Sequence, residues 1–102
     1  MRLISVKTLK EFWRRHADAE GPLRDWYQVT ERTTWRNFVE VEQTFGTADA
    51  VQVASGNTVT VFDIGGNKYR LIAAIHYNTS KVFVLELMPH AEYSKERWKE
   101  RL

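Results

Sequence analysis

The chain has 102 residues, 43% of them hydrophobic and 27% charged, which is typical of one globular domain spanning residues 1–102. It contains no cysteine, which excludes disulfides and thiolate metal sites, and no apolar run of about 18 residues that would cross a membrane. The first residues lack the apolar stretch of a signal peptide, so we expect a cytoplasmic protein.

The formal net charge is only +2, but the charges are unevenly distributed. Residues 1–36 hold eight Lys and Arg against five Asp and Glu, and residues 67–102 hold seven against four. Residues 37–66 hold four acidic residues and no Lys or Arg. The pattern fits a surface with one positive side for an anionic partner, and it also fits a mixed, solvated surface.

The N-terminal half predicts helices. Residues 2–6 are either a short strand or the lead-in to the first helix. Thr8 and Glu11 have the spacing of a capping box at its start. Apolar and aromatic residues then recur at helical spacing along one face: Leu9, Phe12, Trp13 and His16. His16 ends this stripe, near the helix C-terminus, and we interpret it as structural.

A second helix begins around Pro22, which is tolerated in a first turn, and runs to about Arg32. Asn37 is a capping residue with Glu40 three positions later, which predicts a short third helix that ends at Gly46.

The C-terminal half predicts strands. Residues 51–53 and 59–64 are short β-rich runs, and Gly65, Gly66 and Asn67 form a tight turn. Two longer apolar runs, residues 67–77 and 82–88, flank the polar residues 78–81 and predict a hairpin. Pro89 ends the second strand because it has no N–H to donate, and we expect a loop after it. Residues 95–102 predict one or two helical turns, marginal unless Trp98 anchors them.

The element order predicts an α+β fold, with the helices on one face of a sheet of three or four antiparallel strands and a short C-terminal tail. Alternation along residues 67–77 separates two faces. One face carries Tyr69, Leu71, Ala73, Ile75 and Tyr77 and should pack on the helices. The other carries Lys68, Arg70, Ile72, Ala74 and His76, so we expect Lys68 and Arg70 to be exposed together.

In a hairpin, the start of one strand neighbours the end of the other, which brings Lys68 and Arg70 close to His90, Glu92 and Tyr93. Cleavage of RNA by its own 2′-hydroxyl needs proton transfer and charge neutralisation, but no metal. His90 and Glu92 suit the proton transfers. Arg70, with Lys68, suits the phosphate, and Tyr93 suits stacking on a base or donating a hydrogen bond.

The alternatives are a solvated pair of cations and an ordinary surface histidine. A metal set of His76, His90 and Glu92 follows no known ligand spacing, so we expect neither metal nor cofactor.

If the partner is RNA, three more basic residues gain a role. Arg14 and Arg15 lie at the end of the first helix and would contact phosphates, whereas in another protein they would only solubilise the helix. His76 shares the predicted face of Lys68 and Arg70 and would extend the RNA-binding surface.

Several segments together resemble the HigB-type toxins of bacterial type II toxin–antitoxin modules, within the RelE-like group of mRNA interferases. They are residues 1–5 with Leu9, Phe12 and Trp13, then residues 22–27, 61–71, 75–77 and 90–93. The resemblance covers nearly the whole chain in order and spacing. The chain departs from the pattern at Pro89, where Thr is common, and at Ser94, where Asp often follows the Tyr.

The resemblance implies a RelE-like fold and a ribosome-dependent endoribonuclease that cuts translated mRNA and is neutralised by a small helix-turn-helix antitoxin. Operator DNA would be met only through that antitoxin. The family's basic strand residues correspond to Lys68 and Arg70, and its catalytic segment to His90, Glu92 and Tyr93. The alternative function is a non-catalytic RNA- or protein-binding module, a degenerate toxin that acts as co-repressor with its antitoxin.

Overall fold

A computed structural model describes residues 1–102. The strands are β1 (Arg2–Ile4), β2 (Asp49–Gln52), β3 (Thr58–Ile64), β4 (Tyr69–His76) and β5 (Lys81–Pro89). The helices are α1 (Lys7–Arg15), α2 (Glu20–Arg32), α3 (Phe38–Thr44), α4 (His90–Ser94) and α5 (Trp98–Arg101). The predicted α+β class is confirmed, and no helix has the length and apolar character needed to cross a membrane.

The five strands form one mixed sheet in the order β1-β5-β4-β3-β2, in which β1 runs parallel to β5 and all other pairs are antiparallel. The prediction of three or four antiparallel strands is confirmed for β2–β5, and β1 adds a parallel strand within residues 2–6, which the sequence left open as a strand or a helix lead-in. Three residues are too few for a periodic signal. Long-range contacts hold β1 in place, since the Met1 ammonium donates to the carbonyl oxygens of Thr30 and Thr33 and the Arg2 N–H donates to Ser80.

The helix starts were predicted with mixed success. The capping box was wrong, because α1 begins at Lys7 without a side-chain cap. A turn with Ser5 at φ 69° precedes the helix, and the Ser5 carbonyl accepts the N–H of Thr8 at 3.1 Å. The end of α2 at Arg32 is confirmed, as is the Asn37 cap, whose side chain accepts the N–H of Glu40 at 3.1 Å.

The helix-side core lies between α1–α3 and one face of the sheet. The predicted inward face of β4 is confirmed there, with Tyr69, Leu71 and Ala73 buried and Ile75 and Tyr77 packed against them. Burial of a large aliphatic side chain such as Leu71 contributes about 1.5–3 kcal/mol to folding. The turn before β4 is also confirmed, with Gly65 and Gly66 at φ 65° and 69°, a conformation that glycine adopts at little cost.

A second, smaller core lies on the opposite face of the sheet, where the C-terminal tail folds back. It consists of Val53, Val59, Val61, Ile72, Met88 and Trp98. Trp98 is fully buried, and its indole N–H donates to the Tyr93 carbonyl at 3.2 Å. The Ala54 N–H donates to the backbone carbonyl of Lys99 at 2.9 Å. The predicted anchoring by Trp98 is confirmed.

The loop expected after Pro89 is instead the short helix α4. Pro89 precedes it with φ −64° and ψ 156°, and the fixed φ and missing N–H of proline are compatible with the start of a helix. The tail thus covers part of the face that the sequence suggested was open.

Candidate active site

Arg70 lies at the start of β4 and is buried, with 7% of its surface exposed. The register pairs it with Asp63 on β3, and its Nε lies 3.1 Å from the Asp63 carboxylate. Nη1 donates to the carbonyl oxygens of Asn67 and Tyr69 at 3.2 and 3.1 Å. Nη2 donates to the Asn67 side-chain oxygen and to Nδ1 of His90, the latter at 3.2 Å. Each N–H group of the guanidinium therefore has a partner within the protein.

The expectation of an exposed Arg70 beside an exposed Lys68 was wrong. Strand parity correctly gave the face on which Arg70 lies, but the tail covers that face, and the Tyr93 ring lies 5.4 Å from the guanidinium carbon. An arginine whose donors are all engaged has none free to hold a phosphate bidentately. In this arrangement Arg70 instead orients the groups around it.

His90 is the exposed group that this network orients. Because a guanidinium can only donate, Nδ1 of His90 must accept, and the proton of the neutral ring then lies on Nε2. Nε2 is 3.3 Å from Oγ of Ser94, one helical turn along α4, and the His90 backbone N–H donates to the Lys68 carbonyl at 2.8 Å. The imidazole is thus held in one tautomer, with an N–H near solvent.

Tyr93 lies beside this pair. Its ring stacks on Trp98 with centroids 5.3 Å apart and is half-buried. Burial raises the pKa of Tyr93, the carboxylates of Asp49 and Asp63 raise it further, and the cations of Arg70 and Lys99 partly offset them. The phenol therefore stays protonated at neutral pH, and since Trp98 already stacks on the ring, donation of a hydrogen bond is favoured over stacking on a base.

Lys68 lies in the turn before β4, with 66% of its side chain exposed. Its ammonium does not join Arg70 but pairs at 3.0 Å with Asp18, to which the Tyr69 hydroxyl also donates. The hydrogen bond from Tyr69, followed by that from Lys68, lowers the pKa of the Asp18 carboxyl. A phosphate that binds Lys68 must therefore compete with a carboxylate.

The other predicted site residues lie apart from this cluster. Glu92 is two positions after His90 on α4, and residues at that spacing do not share a helix face. Its carboxylate lies 3.9 Å from Lys95.

His76 lies at the far end of β4, six residues or about 20 Å from Arg70. This distance separates it from His90, so the three residues His76, His90 and Glu92 cannot bind one metal ion. Arg14 and Arg15 are exposed in the last turn of α1.

The sequence missed three residues of the cluster: Asp63, Asn67 and Ser94. Asp63 was detectable, because the Gly65–Gly66 turn sets a register in which it faces Arg70, and opposite charges on facing strands attract. Asn67 and Ser94 gave no comparable signal, since each acts through a turn or helix whose geometry the sequence did not fix.

A groove of about 410 Å³ lies elsewhere, between α1 and α2. It is lined in part by Leu9, Trp13 and Tyr27 and contains none of the five residues predicted to be catalytic. The Arg70–His90–Tyr93 cluster lies instead at the end of the central hairpin, where His90 is exposed.

A five-stranded mixed sheet with α1–α3 on one face and the C-terminal tail on the other is compatible with the class of RelE-like toxins. Residues 19–96 match the family described as "HigB_toxin, RelE-like toxic component of a toxin-antitoxin system". The chain is also 30% identical over 95 residues to a protein of Escherichia coli O6:H1 named "mRNA interferase HigB", which covers 93% of this chain and 90% of the relative. The chain therefore belongs to the HigB toxin family, and the resemblance seen in the sequence is confirmed.

Proposed function

We propose that this toxin is an mRNA endoribonuclease that inhibits translation by cutting mRNA through the RNA's own 2′-hydroxyl, without a metal. The observation that carries the proposal is the exposed His90 imidazole, held in one tautomer by the buried Arg70 guanidinium. Membership of the HigB family and the name of the E. coli relative support RNA as the substrate.

In this mechanism the cluster mainly stabilises charge. The Nε2–H of His90 and the O–H of Tyr93 donate hydrogen bonds to the phosphoryl oxygens, or to the leaving 5′-oxygen, as negative charge grows on them. The adjacent Arg70 adds positive charge and keeps Nδ1 of His90 as an acceptor. Lys68 joins when a phosphate displaces Asp18. Loss of one such donor typically costs about 100- to 1,000-fold in rate.

The cluster around His90 contains no free group that could remove the 2′-hydroxyl proton. The accepting nitrogen of His90 is occupied by Arg70, and Glu92 faces another side of α4. A site that lacks a base in the free protein supports dependence on the ribosome, where Glu92 or a group outside this chain would complete it, since catalytic contacts often form only in the substrate complex. We therefore propose that the substrate is mRNA on the ribosome and that the protein acts in the cytoplasm.

The family implies an antitoxin partner, and we propose a small helix-turn-helix protein that would also be the toxin's link to operator DNA. The second candidate function is a degenerate toxin that serves only as co-repressor with this antitoxin. The fully engaged Arg70 and the missing base favour it, because they leave fewer groups for catalysis.

Induction of the toxin without its antitoxin separates the two functions. The nuclease proposal predicts growth arrest with the wild type and relief of the arrest by His90→Ala, with Arg97→Ala, an exposed substitution, as the matched control that stays toxic. Equal amounts of folded protein must be present in each case. A wild type that leaves growth unchanged would favour the co-repressor.

A further inference from the structure

A row of three basic residues crosses the sheet at the end away from His90. The register pairs Lys81 with Arg2 on one side and with His76 on the other. Side chains that face each other across neighbouring strands project from the same face of a sheet. We call these three residues the basic row. With strands about 4.8 Å apart, the row spans roughly 10 Å.

The basic row lies on the face away from α1–α3. The residues that alternate with it, among them Leu3, Val82 and Ile75, belong to or pack on the helix-side core. It therefore shares a sheet face with Arg70, about 20 Å away along β4. The tail helix α5 covers the middle of this face through Trp98, whereas Arg2 and His76 are exposed and Lys81 is half-buried.

The next row of the same face supplies an aromatic side chain. Phe83 pairs with Ile4 and with Ala74, and its half-buried ring lies 4.8 Å from the ring of His76. Cations that follow a backbone, combined with an aromatic ring on which bases stack, are the usual components of a surface for single-stranded RNA.

The three basic side chains of the row form no ion pair with an acidic side chain of the protein. Eight ion pairs form in the described chain, and none includes Arg2, Lys81 or His76. The acid that follows on β5, Glu86, is held by Arg101 at 2.6 Å. By contrast, Lys68 and Arg70, the cations first predicted to bind phosphate, are both paired with carboxylates.

We infer that the basic row, with Phe83, binds the phosphodiester backbone of RNA outside the cleavage site. The inference rests on the proposed function for its RNA ligand. The row lies on the same sheet face as Arg70, beyond the part that α5 covers, so a strand bound at both His90 and the row passes beside α5. The same chemistry would also bind ribosomal RNA, so messenger and ribosomal RNA are the two sources to distinguish.

The test is the salt dependence of RNA binding by Arg2→Gln/Lys81→Gln in a His90→Ala background that prevents cleavage. The matched control is Lys7→Gln/Lys10→Gln, which removes two exposed cations from the helical side. The probe is a fluorescein-labelled single-stranded RNA, and thermal melting verifies folding. We expect the slope of log K against log salt to fall by about 1.4 in the test pair, since each neutralised phosphate contributes about 0.7 for single strands.

The control pair should leave the slope unchanged. A test pair that matches the parent both in this slope and in ribosome binding, or a control pair that loses as much, overturns the inference. Sedimentation with purified ribosomes forms the second arm. If the test pair loses ribosome binding but binds the free RNA as before, the row binds ribosomal RNA. If it loses binding of the free RNA but still binds ribosomes, the row binds the message.

The inference and the proposed function fail separately. If the wild type cuts mRNA and Arg2→Gln/Lys81→Gln cuts and binds equally well, the basic row is refuted and the nuclease stands. If the wild type does not cut mRNA while the row still sets the salt slope, the nuclease is refuted and RNA binding by the row stands.

Discussion

Replacing Arg70 with lysine keeps one positive charge near Asp63 but removes the planar fork that joins Asp63, Asn67 and His90. A lysine ammonium in the same place reaches one or two of these acceptors and leaves the others without a donor. Each unpaired, partly buried acceptor costs about 1–3 kcal/mol. We therefore expect Arg70→Lys to lower the free energy of unfolding by about 1–3 kcal/mol.

Arg70→Ala is the harsher change, because it leaves the Asp63 carboxylate unpaired. Breaking a buried pair costs about 3–5 kcal/mol, and the 30% exposure of the Asp63 side chain moves the expected value toward the lower end. Domains of this kind are commonly stable by about 5–15 kcal/mol, so the lysine variant is more certain to remain folded and is the more informative of the two.

Thermal and urea unfolding measure the stability effect, with the exposed Arg97→Lys as control. At about 4–8 °C per kcal/mol, Arg70→Lys should melt at least about 4 °C below the wild type, and the control should melt within about 2 °C of it. Cleavage kinetics test the role in the site. If Arg70 acts by orienting His90, kcat falls while KM is little changed. An unchanged melting temperature together with a raised KM would refute this reasoning and return Arg70 to phosphate binding.

Three further changes test other parts of the structure. Trp98→Ala should cost about 3–5 kcal/mol by urea unfolding, because α5 is too short to persist without its anchor, and a cost below about 1 kcal/mol would contradict the second core. Asp18→Asn should lower the melting temperature at pH 7 and lower it less at pH 2: the folded-state pKa of Asp18 lies below its ordinary 3.8, so its stabilisation is present above 3.8 and is lost as the pH falls through the lowered folded-state pKa. An equal difference in melting temperature between variant and wild type at both pH values would show that the stabilisation by Asp18 is not ionic. Tyr93→Phe keeps the stacking on Trp98 and should leave stability nearly unchanged while slowing cleavage about 100-fold; an unchanged rate would remove the phenol from the mechanism.

The sequence was informative where a local rule decides the structure. Alternation along residues 67–77 correctly assigned Tyr69 and Leu71 to the helix-side core, since side-chain direction in a strand alternates strictly. The Asn37 cap was found for the same reason, because one side-chain oxygen satisfies one backbone N–H three residues away.

Burial by distant segments was not readable from such rules. Parity gave the face of Arg70 but not the tail that covers it, and that tail depends on Trp98 reaching strands that are distant in the sequence. Glu92 shows a second limit. A loop after Pro89 would have left its direction free, whereas the helix α4 turns it away from His90.

Cleavage of mRNA in a purified translation system, with a metal chelator specific for zinc and other transition metals, tests the central claim most directly. We expect the wild type to cut the message only when ribosomes are present and to leave a 2′,3′-cyclic phosphate, and we expect folded His90→Ala to cut at least about 100-fold more slowly. Equal cutting by His90→Ala, or no cutting by the wild type on translating ribosomes, would contradict it.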